Sequence, residues 1–166
     1  MTADQFLTNV VFFLLAAVAL VGAVFAVTLK NLVRSALGLI LSFMAVAGIY
    51  FVLEAEFIAI VQVLIYVGAI SILILFAIML TRGLMRGEES ANNSQWIGAA
   101  GIAAVLFGAL GAIVLGTNWQ AAQTALKGDL IPKLGAELVT IYVLPFEAVS
   151  LLLLAALIGA FVIARE

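Results

Sequence analysis

Glu56–Leu80 reads EFIAIVQVLIYVGAISILILFAIML. From Phe57 to Thr81 no residue is charged. At about 1.5 Å of rise per residue, that run makes a helix on the order of 37 Å long, enough to cross a hydrocarbon core of about 30 Å. Three features depart from a plain lipid-soluble helix. Gln62 and Tyr66 stand four apart and so share a helix face. Gly68 sits near the middle, where a glycine weakens the helix and lets another backbone come close. Ser71 follows three residues later on the face of the glycine. A hydrophobic anchor needs none of these.

The composition sets the solvent. Of 166 residues, 67% are hydrophobic and 10% are charged, far beyond an ordinary water-soluble domain. The chain is expected to be all-α, a polytopic membrane protein of five spans forming a single membrane domain over residues 1–166. The lipid bilayer is its first partner. A net charge of −2 and the lack of a basic patch argue against nucleic acid. Cysteine and histidine are both absent. Iron–sulfur clusters need thiolates, zinc sites need Cys or His, and haem is held mostly by His, Cys or Met. Neither a Gly-x-Gly-x-x-Gly run nor a Walker pattern is present. If the protein serves a redox system, the redox centres are expected on other chains.

The start, MTADQFLTN, carries no basic residue and no small-residue cleavage site, so the first span, about 10–29, is expected to be retained. Lys30 and Arg34 bracket a short turn. The second span, about 35–53, carries Ser35, Gly38, Ser42 and Ala45 on one stripe, the pattern by which membrane helices pack closely. Glu54 and Glu56 mark a tight connection to the third span, about 57–80. Residues 82–95 read as a solvated loop. Trp96 opens the fourth span, about 96–116, whose Gly101, Ala104, Gly108 and Gly111 form another close-packing face. Residues 117–140 read as the longest loop. A short surface helix before Lys127 fits there, Trp119 suits an interface, and Pro132 is expected to interrupt anything longer. The fifth span is about 142–164. Its start has two readings: Pro145 as the first helical residue, or a kink in a helix that begins near Leu138. There is no internal repeat, and five spans do not split into two equal inverted halves, which weighs against common transporter plans.

Each polar residue near these spans has a plain reading beside a functional one. Glu147 is the one acid inside an expected span, and an intramembrane carboxylate is a functional candidate by default. If the helix starts at Pro145, Glu147 lies in the first turn and partners the helix dipole instead. Glu56, opening the third span, carries the same two readings. Gln62 and Tyr66 either bond to neighbouring helices and to each other, or line a hydrated path on a switchable helix. On the residues alone, a scaffold subunit, a small channel and part of a proton-moving machine all stand.

The third span also carries a resemblance. Glu56-Phe57, Gln62-Val63, Tyr66-Val67-Gly68-Ala69-Ile70, Phe76 and Met79-Leu80 resemble NADH-quinone oxidoreductase subunit J, the bacterial counterpart of mitochondrial NADH dehydrogenase subunit 6. The last span adds Tyr142, Leu144-Pro145-Phe146-Glu147, Ser150, Leu152-Leu153-Leu154, Ala156 and Gly159-Ala160. The resemblance covers essentially the whole chain. It implies a core membrane subunit of respiratory complex I in a bacterial inner membrane, beside other membrane and peripheral subunits. It implies no flavin, cluster or metal on this chain. Quinone, FMN and iron–sulfur clusters are expected on partner subunits. It implies a π-bulge at Tyr66, Val67 and Gly68, in a helix that changes shape as quinone reduction is coupled to proton translocation. Some relatives carry an acid where Gln62 stands, a residue that does not ionise. The alternatives are a structural subunit of a related antiporter or hydrogenase-type complex, and a stand-alone channel.

Lys and Arg set the expected orientation. With the N-terminus outside, Lys30, Arg34, Arg82, Arg86 and Arg165 face the cytoplasm, and Lys127 and Lys133 face out. The chain has no native cysteine, so single cysteines report cleanly. Ser90→Cys is expected to react only with thiol probes that reach the cytoplasm, and Thr124→Cys only with impermeant probes added outside. The opposite pattern would reverse the orientation.

Overall fold

A computed structural model describes residues 3–81, 95–118 and 130–165. Those residues are organised as helices: α1 (Ala3–Thr28), α2 (Leu32–Val52), α3 (Glu56–Thr81), α4 (Trp96–Gly116), α5 (Leu130–Val139) and α6 (Val143–Ala164). All but α5 are long and apolar enough to cross a membrane. The chain divides into two units, Met1–Asn92 and Asn93–Glu166.

The N-terminal unit is built on close backbone contact between α1 and α2. A Cβ added at Gly22 would lie 2.7 Å from the Ser42 nitrogen and 2.8 Å from the Gly38 oxygen. One added at Gly38 would lie 3.0 Å from both the Ala26 nitrogen and the Gly22 oxygen. With no hydrophobic drive between helices in lipid, such close approach is what holds them together. The stripe of Ser35, Gly38, Ser42 and Ala45 therefore faces α1, as its spacing suggests. At the turn end, the Ser35 hydroxyl donates to the Ala26 carbonyl. Asn31 caps α2, its side-chain oxygen accepting from the Val33 and Arg34 backbone N–H groups at 3.1 and 3.3 Å. That cap starts α2 three residues earlier than the hydropathy alone indicates.

The link from α2 to α3 is equally tight. The Ala55 N–H donates to the Tyr50 carbonyl at 3.0 Å and the Glu54 N–H to the Phe51 carbonyl at 3.1 Å. This is a Schellman arrangement, which places one residue in the left-handed region. Glu54 takes that place with φ 59°, where glycine is the usual occupant. The sharp stop turns α3 back along α2.

In the C-terminal unit both prolines correct the sequence reading in the same way. Pro132 is the third residue of α5 and Pro145 the third of α6. The N–H groups of a first turn have no intrahelical partner, so a proline there sacrifices nothing. Pro132 thus sits at the start of a helix within the expected loop. The last span begins at Val143, between the two starts considered. Glu147 becomes its fifth residue, in the second turn and not the first. Between α5 and α6, the Tyr142 N–H donates to the Glu137 carbonyl at 2.9 Å. The surface helix expected before Lys127, Trp119, and most of the loop at 82–95 lie outside the described residues.

Hydroxyls at helix ends bond inward. Thr28, Thr117 and Thr140 donate to the carbonyls of Val24, Ile113 and Ala136, four residues back, at 2.6, 2.6 and 2.8 Å. Ser and Thr in helices commonly bond back to the carbonyl four residues earlier in this way. Large apolar side chains of α4 and α6 are exposed within the chain, as suits lipid or partner subunits. The glycines of α4 meet nothing within 4 Å among the described residues.

The α1–α2 crossing yields a graded expectation. Gly22→Ala and Gly38→Ala press a methyl on rigid backbone, an overpacking that costs about 1–3 kcal/mol. Gly48→Ala meets only the Leu15 side chain, at 3.0 Å, which can rotate away. Subunit abundance in membranes should fall for the first two and stay near wild type for the third. Equal abundance for all three would show that the crossing does not limit folding.

Candidate functional site

The third span is continuous, but its hydrogen-bond ladder changes register partway. Glu56–Val61 is regular α-helix, and the Gln62 N–H points to Ile58 O and Ala59 O, four and three residues back. Gln62–Ile70 is π-helical over nine residues. Regular helix resumes over Ser71–Thr81. At the downstream junction the Ser71 N–H points to the Tyr66 carbonyl, five residues back, as well as to Gly68 O. Such segments are rare and mostly a single turn. The stretch encloses Tyr66, Val67 and Gly68 and extends well to either side of them.

The local sequence favours this. Gly68 removes Cβ contacts in the middle of the segment, so a wider turn forms at little cost. A Cβ built there would find one atom within 4 Å, the Val63 oxygen five residues back, at 3.4 Å. No atom of another described helix lies within 4 Å of that Cβ position. Within this chain, its glycine is therefore not needed for close helix packing.

Among the described residues of the N-terminal unit two polar side chains are buried, and both lie at this segment. Gln62, its first residue, is 8% exposed, and Ser71, which follows its last, is 1% exposed. The Ser71 hydroxyl donates to the Tyr66 carbonyl at 2.6 Å. The Tyr66 carbonyl thus receives both the backbone N–H and the hydroxyl of Ser71.

Tyr66 turns its ring against α2. It meets Phe43 edge-on, with centroids 5.4 Å apart and planes at 70°. Aromatic pairs favour this T-shaped arrangement. No hydrogen bond joins Tyr66 to Gln62 among the described residues. The shared face expected for them places one in the interior and the other partly exposed. Phe43 carries no sequence signal of its role, being one phenylalanine in an apolar span. Ser71 carries a weak one, as a hydroxyl on the glycine's face.

The two carboxylates stand elsewhere. Glu56 is the first residue of α3, exposed, where the positive end of the helix dipole favours it. It lies six residues upstream of Gln62. Glu147 belongs to the C-terminal unit and is exposed on α6, where the Ser150 hydroxyl donates to its backbone carbonyl at 2.7 Å. In the second turn its dipole role is weaker, since that effect fades beyond the first. Among the described residues, no three Asp or Glu side chains gather as a metal site would require. The site is therefore a conformational one: an irregular membrane helix, its polar flanks, and an aromatic contact to the next helix.

Comparison with known proteins places this architecture. The family model of NADH-ubiquinone/plastoquinone oxidoreductase chain 6 matches residues 22–163. The chain is 43% identical over 158 residues to the NAD(P)H-quinone oxidoreductase chain 6 of Leptolyngbya boryana, covering 93% of this chain and 78% of that one. It is 38% identical over 156 residues to the chloroplastic NAD(P)H-quinone oxidoreductase subunit 6 of Adiantum capillus-veneris, covering 89% and 79%. It is also 38% identical over 169 residues to the F(420)H(2) dehydrogenase subunit J of Methanosarcina mazei, covering 99% and 94%. The π-helical segment lies inside all that the family model matches, and the chain belongs to the NADH-ubiquinone/plastoquinone oxidoreductase chain 6 family.

Proposed function

We propose that this chain is a core membrane subunit of a proton-translocating NADH:quinone oxidoreductase, and that α3 is the hinge by which quinone reduction is coupled to proton translocation. The observation that carries the reading is the nine-residue π-helical run in the middle of a membrane span. A helix able to hold either the regular ladder or the shifted one is a two-state element, and coupling needs such an element. Family membership supports the rest.

On this reading the chain holds no redox group. Quinone, FMN and the iron–sulfur clusters belong to partner subunits, and the absence of Cys and His agrees with that division. Gln62 and Tyr66 are the polar groups of the moving segment, and Glu56 and Glu147 are acids that could serve a proton or water path. Gln62 does not ionise, so its part is to orient water or a neighbouring group. The chain is multi-pass in a bacterial inner membrane, with the N-terminus outside and the C-terminus in the cytoplasm. The relative named for F(420)H(2) shows that a chain this similar can belong to a complex with another electron donor. The donor is therefore set by other subunits.

Gly68 gives the test. Alanine is about 1 kcal/mol better than glycine in a regular helix interior, and the Cβ contacts it adds should favour the regular ladder over the wider turn. Its Cβ fits the observed geometry, since 3.4 Å to the Val63 oxygen is ordinary contact. Gly68→Ala should therefore assemble normally, yet lower quinone reductase turnover or the protons moved per turnover. Gly68→Val should do so more strongly. Quinone reduction, proton uptake into sealed vesicles and complex abundance are measured on all three proteins. Wild-type turnover and pumping in an assembled Gly68→Ala complex would contradict the hinge and leave a purely structural subunit.

A further inference from the structure

We propose that α5 is an interfacial helix. It lies along the bilayer surface where α6 enters, with Ile131, Leu134 and Leu138 set among the outer ends of phospholipid acyl chains. At 10 residues it is about 15 Å long, half of a hydrocarbon core of about 30 Å, so it cannot cross. Its sequence, LIPKLGAELV, is two-sided. At about 3.6 residues per turn, Leu130, Ile131, Leu134 and Leu138 fall within about 100° of the circumference. Pro132, Lys133 and Ala136 fall outside that arc, and Glu137 borders it. Leu130, Ile131 and Leu138 are exposed and Leu134 is half-buried. Among the described residues of its unit, most of this apolar stripe is therefore uncovered.

The link to α6 names the cover. α5 ends at Val139 and α6 begins at Val143, a step of at most about 14 Å even if fully extended. The bond from the Tyr142 N–H to the Glu137 carbonyl, at 2.9 Å, folds that step tighter. α6 has 22 residues and is about 33 Å long, close to the thickness of the hydrocarbon. Val143 therefore stands at the hydrocarbon edge, and Tyr142 beside it is exposed and of a type enriched at that level. α5 thus begins its path in the headgroup layer. Standing upright it would hold its apolar stripe in water. Lying flat it buries the stripe among acyl chains, as amphipathic helices do at interfaces. Lys133, exposed beside the arc, has a stem that lets its ammonium reach the phosphates. This contact needs only that α6 spans the membrane, and it stands apart from the hinge.

The test uses the assembled complex in its membrane. The photoreactive residue p-benzoylphenylalanine is placed singly at Ile131 and Leu138, within the stripe, and at Lys133 and Ala136, outside it. After illumination, the adducts on this chain are identified by mass spectrometry. Phospholipid adducts should be severalfold more abundant from Ile131 and Leu138 than from Lys133 and Ala136. Adducts from Ile131 and Leu138 that join this chain to another subunit would overturn the proposal and make the stripe a protein interface. Equal lipid yields from all four positions would also overturn it, since no face would then be turned to the bilayer. A second measurement needs no substitution. In a single-particle structure of the wild-type complex in phospholipid nanodiscs, the axis of α5 should lie flat in the headgroup layer. An α5 that stands clear of that layer would contradict the proposal.

Discussion

Inside a bilayer a backbone carbonyl that loses its partner has no water to replace it, and each unpaired group costs several kcal/mol. That constraint explains why nearly every described residue here is helical. It also explains what accompanies a register change in mid-membrane. A shifted ladder is tolerable where each carbonyl still finds a donor. At the downstream junction the Tyr66 carbonyl finds two, the backbone N–H and the hydroxyl of Ser71. The proposed hinge requires that the irregular segment be one of two ways of satisfying the same backbone.

Glycine serves two different ends in this chain. At Gly22 and Gly38, any side chain would press on the backbone of the opposite helix at 3.0 Å or less, so the residue is needed for α1 and α2 to touch. At Gly68 a Cβ would meet no other described helix within 4 Å, only the Val63 carbonyl oxygen of its own helix at 3.4 Å. There the lack of a Cβ bears on how the helix winds. On the proposed reading the two uses of glycine serve two roles. The α1–α2 pair is the frame, stitched by Ser35 and Asn31. α3 leans on that frame through Phe43 and Tyr66, so a change in its winding is felt by its neighbour.

Much of this was legible in the sequence because lipid imposes simple rules. Charge-free runs bounded by Lys, Arg, Glu and Trp gave five spans, and small residues at steps of three and four gave the packing face of α2. The errors came at helix ends, where hydropathy says little. α1 runs back to Ala3 because a helix can continue past the hydrocarbon edge with Gln5, Thr8 and Asn9. Pro132 was expected to interrupt a helix, and Pro145 either to open one or to kink it; both prove to be third residues of first turns, which makes Glu147 the fifth residue of its helix. At the site, Gln62, Tyr66, Gly68 and Ser71 stood out as polar or flexible residues in an apolar run. Which carbonyl the serine takes was not legible, since it depends on the winding itself. Phe43 was invisible for another reason: an apolar side chain in an apolar span has no pattern that singles it out.

The central claim is that α3 changes winding during the catalytic cycle. The most direct measurement is the structure of the intact wild-type complex in two conditions, resting without quinone and turning over with donor and quinone, at a resolution that assigns each carbonyl of residues 58–71 to its donor. The account predicts that the Gln62–Ile70 segment is π-helical in one population and regular in another. In the regular population Tyr66 should leave Phe43, and the proportions should change between conditions. The same π-helical segment in every particle of a complex that is actively pumping protons would contradict it.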